Sequence, residues 1–167
     1  GADIDTKDKN GNTALSFMLA QFHPDIATVL LVPGEPQDGA SLLVKAAKSG
    51  NIEAVKCLLD LKVKIDAKDN TSRTPLHWAA LFGNEAVVKL LLDRGANIHA
   101  TTDEGSTPLH EAAVYGDEAV VKLLLDRGAN IEAKNNSGTT PLHNAAWYSN
   151  EAVVKLLLDR GANIEAK

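Results

Sequence analysis

Aromatic residues are scarce in this 167-residue chain, at 4%, which is too few to build a core around rings. A core of Leu, Val and Ala remains, and such a core suits closely packed helices. The lone cysteine, Cys57, cannot close an internal disulfide. No charged-then-apolar leader opens the sequence, so a cytoplasmic setting is the expectation, with a secreted effector as the alternative if the chain is part of a larger microbial protein. Lys, Asp or Glu breaks every Leu/Val stretch well before the roughly 20 residues that a membrane-spanning helix needs, which argues against membrane insertion. Positive charge is not in excess: 17 Lys plus Arg stand against 22 Asp plus Glu, giving a net charge of −5. That balance lacks the electrostatic footprint of a nucleic-acid binder. The nucleophile elbow G-x-S-x-G, the phosphate loop G-x-x-x-x-G-K, C-x-x-C and G-x-G-x-x-G are all missing, so neither an enzyme nor a cofactor is expected.

What is there is repetition. Thr-Pro-Leu-His begins at Thr74, Thr107 and Thr140, a spacing of 33 residues, and Leu-Leu-Leu-Asp-Arg-Gly-Ala-Asn-Ile begins at Leu90, Leu123 and Leu156. Residues 107–134 and 140–167 differ at four of 28 positions: Glu111/Asn144, Val114/Trp147, Gly116/Ser149 and Asp117/Asn150. The phase decays upstream. Ser41 to Val44 lies 33 residues before the Thr74 unit, and Thr13 to Ser16 lies 28 before Ser41, with Val32 to Gly39 replacing the usual connector.

The unit D-x-x-G-x-T-P-L-H-x-A-A-x-x-G-N-x-x-x-V-x-x-L-L-x-x-G-A-x-I resembles the ankyrin repeat. The resemblance implies an all-α solenoid of five stacked helix-turn-helix pairs with β-hairpin or loop connectors. On this reading residues 1–167 form one domain, with repeats at about 8–40, 41–68, 69–101, 102–134 and 135–167 and residues 1–7 as the tail of a preceding connector.

The residues support this independently of the family. Thr74 suits an N-cap, Pro75 suits the first helical position, and Gly83 suits a left-handed helix stop after about two and a half turns. Asn84 is placed to cap a second helix in which Val87, Val88, Leu91 and Leu92 form an apolar face, closed by Gly95. Glu85/Lys89, Glu118/Lys122 and Glu151/Lys155 stand four apart, which marks the solvated face. A single pair cannot bury its apolar side, so stacked copies share one core. At about 10 Å per layer, five pairs span roughly 50 Å and offer a long surface in place of a pocket.

His77, His110 and His143 form a column, but equivalents about 10 Å apart cannot share a zinc ion whose ligand nitrogens lie near 2 Å. They are expected to bond locally to the capping Thr or the adjacent finger. His110-Glu111 begins like a metalloprotease motif, but Val114 stands where a second His is required. Cys57, at the position of Leu90, reads as a small buried residue. Asn70-Thr71-Ser72 and Asn135-Asn136-Ser137 match the glycosylation pattern and are expected to be unused.

Differences between internal copies separate scaffold from tunable surface. They fall at Trp78/Glu111/Asn144, at Leu81-Phe82, Val114-Tyr115 and Trp147-Tyr148, and in the connectors 70–73, 103–106 and 136–139. All five aromatics of the regular units occupy these positions. In ankyrin repeats the resemblance implies that helix ends and fingertips face a concave groove and contact partners. The expected partner-binding residues are therefore Trp78, Leu81, Phe82, Glu111, Val114, Tyr115, Asn144, Trp147 and Tyr148, with Arg73, Asp103 and Glu104 at the rim. Asp103 and Glu104 against Lys68 and Arg73 give a mixed-sign rim, which implies no strongly charged ligand. The alternative is that the aromatics simply pack on the next repeat.

The first two units are irregular. Phe17-Met18-Leu19 departs from the pattern, Lys62 stands where Gly95 stands, and the 33–39 segment is either divergence or a second binding element. The last repeat has no polar cap, so the array is expected to continue or to self-associate end to end as the exception to a monomer. Protein recognition is the expected function. The alternatives are a spacer or targeting arm of a larger enzyme, toxin or channel, or an engineered consensus-like scaffold.

Overall fold

The computed structural model describes residues 4–9, 12–32, 35, 38–115 and 117–165. Most of the 33–39 segment, and Gly116, fall outside that set. The described residues form helices α1 (Ala14–Phe22), α2 (Pro24–Leu30), α3 (Gly39–Lys48), α4 (Ile52–Asp60), α5 (Pro75–Leu81), α6 (Glu85–Asp93), α7 (Pro108–Tyr115), α8 (Glu118–Asp126), α9 (Pro141–Trp147) and α10 (Glu151–Asp159). Consecutive helices pair within a repeat, and each pair packs on its neighbours.

From repeat two onward the first helices (α3, α5, α7 and α9) pack on one another more closely than the second helices do, because Ala79, Ala80, Ala112, Ala113 and Ala145 are buried between them. The stack therefore curves toward the first-helix side, and that side is concave. Fully buried Leu76, Leu91, Leu109, Leu124 and Leu157 fill the interior, each stabilising by about 1.5–3 kcal/mol. None of the seven aromatic residues lies in this core.

The N-terminal capping follows the sequence. The Thr13 and Ser16 side chains and amides exchange bonds of 3.0 Å, and the Thr74 amide donates to His77 Nδ1 at 3.1 Å. The α5 and α9 helices are shorter than expected because Phe82 and Tyr148 already act as C-caps.

Two local details differ from the sequence reading. The connectors contain no strand among the described residues; each finger closes on one hairpin-type bond, such as Asp69 N–H to Arg73 O or Thr102 N–H to Ser106 O at 3.0 Å. Five residues are too few for a ladder. Asn84 makes no side-chain cap; its Nδ2 instead donates to the carbonyls of Ala47 and Lys48 in the preceding repeat, at 2.9 and 3.1 Å. Asn150 does the same to Ala113 and Val114, whereas Asp117, having no N–H to donate, caps α8 through Val120. Glu85/Lys89, Glu118/Lys122 and Glu151/Lys155 are exposed, as their spacing predicts. The second helices are tied repeat to repeat by Arg94–Asp60, Arg127–Asp93 and Arg160–Asp126, at 3.1, 2.8 and 2.8 Å.

Lys62 keeps the left-handed turn that glycine occupies elsewhere, with φ 65° against 86° at Gly95. The strain is carried in place, so Lys62→Gly should raise stability by about 0.5–1 kcal/mol once glycine's greater unfolded-chain entropy is subtracted. Thermal melting would read this as a rise of about 1–4 °C. An unchanged or lower midpoint would mean that the turn is not strained.

Candidate recognition face

The helix ends on the concave side bring most of the variable positions together. Phe82 closes α5 and Tyr115 closes α7, so both rings emerge at the same level of the stack, with centroids 6.2 Å apart and planes at 21°. Trp78, one helical turn before Phe82, stacks on it at 6.0 Å and 16°. The Lys48 ammonium lies over both rings, 4.9 Å from Trp78 and 5.4 Å from Phe82. The result is a ladder of three rings that bridges two repeats.

That ladder includes the packing contact which the alternative reading required, yet it remains open to solvent. Phe82 is 45% exposed and Tyr115 68%, while Trp147 reaches 85% in the last repeat beside exposed Tyr148. Leu81 and Val114 are half-buried beneath them. Apolar rings at this exposure cost solvation without contributing to the core.

The position shared by Trp78, Glu111 and Asn144 behaves differently from expectation. Trp78 Nε1 donates to Asp69 Oδ2 at 2.7 Å within its own repeat. Glu111 is only 5% exposed and pairs with Arg73 of the preceding repeat, at 3.2 Å to Nε and 3.1 Å to Nη2. Asn144 Nδ2 donates to the His110 carbonyl at 3.2 Å. Glu111 and Arg73 are thus held by each other, and Arg73 is not a free cation of the rim. Burial pushes the Glu111 carboxyl above its ordinary range, and Arg73 pulls it partly back.

The fingertips join into a ladder of their own. Ser72 Oγ donates to Asp103 Oδ1 at 2.6 Å, Asn136 Nδ2 donates to the Asp103 carbonyl at 2.9 Å, and the Asn136 amide donates to the Glu104 carbonyl at 2.9 Å. The Glu104 side chain stays exposed.

The three histidines of the column, His77, His110 and His143, bond within the scaffold. His77 Nδ1 accepts the Thr74 amide, so Nε2 carries the proton and donates to the Ser106 carbonyl at 3.0 Å. His110 repeats this with Thr107 and Thr139. His143 keeps the Thr140 bonds but is exposed. Burial raises the Cys57 thiol, with Asp60 adding to the shift, so it is a poor nucleophile.

Sequence reasoning missed a groove of about 740 Å³ between α3, the 68–73 connector and Trp78. Lys45, Lys48 and Lys68 line it. A signal was available: counting back 33 residues from Trp78 and Leu81 gives Lys45 and Lys48, so repeat two carries lysine at the positions where repeat three carries aromatic and aliphatic residues. Counting back a further 28 from Lys45 gives Phe17, which is also exposed. The last repeat leaves Ala146 and Ile164 exposed where Ala113 and Ile131 of repeat four are covered or half-covered.

A family model described as ankyrin repeats (3 copies) matches residues 17–102 and 95–167. The chain belongs to the ankyrin-repeat family. Repeats of this kind generally mediate protein–protein interaction and form a non-catalytic class of domain. A stretch of 82 residues is 33% identical to the potassium channel AKT2/3 of Arabidopsis thaliana, covering 47% of this chain and 10% of the channel. The ankyrin array therefore matches about one tenth of that relative's length. No helix among the described residues is long and apolar enough to cross a membrane.

Proposed function

We propose that this ankyrin array is a recognition module that holds a partner protein on its concave face. Phe82, Tyr115, Trp147 and Tyr148 are its anchors, and Trp78, Leu81 and Val114 support them. The observation that carries this reading is the exclusion of every aromatic residue from the core, combined with the alignment of Trp78, Phe82 and Tyr115 into one exposed ladder. Tyr and Trp are the residues most enriched at the energetic centres of interfaces, and a rigid stack spares the surface most of its ordering entropy. Asp103, Glu104 and Asn144 contribute polar surface at the edge.

The test is affinity capture from a cell lysate with the wild type and with the Phe82→Ser/Tyr115→Ser/Tyr148→Ser variant, bound proteins being identified by mass spectrometry. The expected result is a protein retained by the wild type and lost by the variant. Equal profiles would remove the aromatic face from the account. Light scattering across concentration on the same samples separates a foreign partner from a second copy stacked on the exposed Ile164 end.

The match to a tenth of a channel favours a second reading, in which the array is a targeting arm of a larger protein. Under that reading the partner would be captured equally by the isolated array and by the longer protein. A longer reading frame around this sequence is the observation that decides it.

A further inference from the structure

The groove beside the aromatic ladder carries charge that the rest of the molecule does not neutralise. Its lining cations are Lys45, Lys48, Lys68 and Arg73, and its carboxylates are Glu35, Asp38 and Asp69. Most of these are already committed. Lys45 pairs with Glu35 at 2.7 Å, Arg73 pairs with Glu111, and Asp38 accepts from the Ser41 amide and hydroxyl. Partial burial works against the Asp69 charge, but bonds from Thr71, Trp78 and the Arg73 amide outweigh it and hold the carboxyl below its ordinary range. Asp69 is thereby turned toward its own finger. Lys48 and Lys68 belong to none of the ion pairs found among the described residues. Lys48 rests on the Trp78 and Phe82 rings, and Lys68 donates to the Thr101 carbonyl at 3.3 Å. Two exposed ammonium groups thus converge on one groove in a chain whose net charge is −5.

From this arrangement, and resting on the recognition reading above, we infer that the groove receives an acidic segment of the partner protein, whose carboxylates meet Lys48 and Lys68 while its adjoining apolar side chains lie along Phe82 and Tyr115. The order is fixed by the repeats: lysine at the concave positions of repeat two, rings in repeats three and four. A ring face that already holds an ammonium also keeps that ammonium in place, so less side-chain freedom is lost when a carboxylate arrives. The net charge of −5 disfavours indiscriminate capture of such a segment, and the lysines elsewhere on the surface have no aromatic ladder beside them.

The experiment uses the unaltered chain, whose two indole resonances, of Trp78 and Trp147, are told apart beforehand on a separate Trp147→Phe sample. The unaltered chain is titrated with a synthetic peptide of alternating glutamates and leucines and with the same peptide carrying lysines. The glutamate peptide should shift the Trp78 indole resonance saturably and weaken about tenfold between about 0.05 M and about 0.5 M salt, as an exposed ionic contact does. Lys48→Glu/Lys68→Glu should abolish that binding, while Lys89→Glu, on the outer helix, should leave it unchanged. Because Lys48 and Lys68 are exposed and make only surface contacts, the double variant should stay folded, its melting midpoint lowered by no more than about 4 °C. Equal binding of the lysine peptide, no binding of the glutamate peptide, or binding that survives the double variant would each overturn the inference. A natural partner still captured by Lys48→Glu/Lys68→Glu but lost by the aromatic variant would overturn the acidic groove and leave the recognition face standing.

Discussion

Replacing His77 with Ala should cost about 3 kcal/mol or more of unfolding free energy, as much as truncating a buried core leucine. The ring is completely buried and satisfies groups in two repeats at once. Nδ1 takes the Thr74 amide at the start of α5, and Nε2–H reaches the Ser106 carbonyl in the following connector. Alanine leaves a buried donor and a buried acceptor unsatisfied, each at about 1–3 kcal/mol, and opens a cavity between repeats. The same geometry makes the fold sensitive to acid. Burial, aided by the positive charge of Arg73 and opposed by the Ser106 carbonyl, lowers the His77 pKa from 6.5 to about 4. The unfolded chain therefore binds the proton first as pH falls. Stability is fully present above pH 6.5 and declines down to about pH 4, a loss of about 3 kcal/mol from this site. His110, lowered chiefly by burial, acts in the same direction. Urea unfolding of the wild type at pH 7.5 and 4.5, beside His77→Ala, checks both points. The variant should be weaker at pH 7.5 and show a shallower pH dependence. An identical slope would mean that His77 is not the titrating group.

Arg73→Ala should be nearly as damaging, at about 2–4 kcal/mol, although Arg73 lies partly at the surface. Its guanidinium sits between the Trp78 ring, 5.4 Å from the centroid, and the Glu111 carboxylate, which is almost wholly enclosed. Removing it strands a buried negative charge whose protonation burial already favours. Glu111→Gln in the same chain should recover most of the loss, because no charge is then left unpaired. The ion pair itself contributes less than its removal costs. A double-mutant cycle by chemical denaturation measures this, and a double variant no better than Arg73→Ala would place the damage in the Trp78 contact instead.

The 33-residue phase made the helix pairs readable, because Thr, Pro, His and Gly recur where caps and stops are needed and Val and Leu recur at helical spacing. Local rules were enough for that. The partners of polar side chains were not readable by the same rules. Glu111 is bonded to a residue 38 positions earlier, Asn84 to carbonyls 36 and 37 positions earlier, and Arg94 to an aspartate 34 positions earlier. Spacing along one helix says nothing about a side chain that crosses to the preceding repeat. Glu111 is therefore enclosed where open surface is expected, and Asn84, although it stands at the N-cap position of α6, turns its side chain to the preceding repeat. The lysine groove was hidden for another reason: comparison of the three regular copies excluded repeat two, where Lys45 and Lys48 fill the concave positions. The exposed aromatics, by contrast, were legible, since rings confined to variable positions in a Leu/Val/Ala core have nowhere inside to go.

The most direct test of the recognition account is a binding titration of the captured partner against the wild type and Phe82→Ser/Tyr115→Ser/Tyr148→Ser, with thermal melting of both. The account predicts affinity weakened by at least about 100-fold, since three anchors are removed, while the melting midpoint moves by no more than about 4 °C. Unchanged affinity, or a collapse of the midpoint in step with the loss of binding, would contradict it and return the aromatic ladder to the packing of the stack.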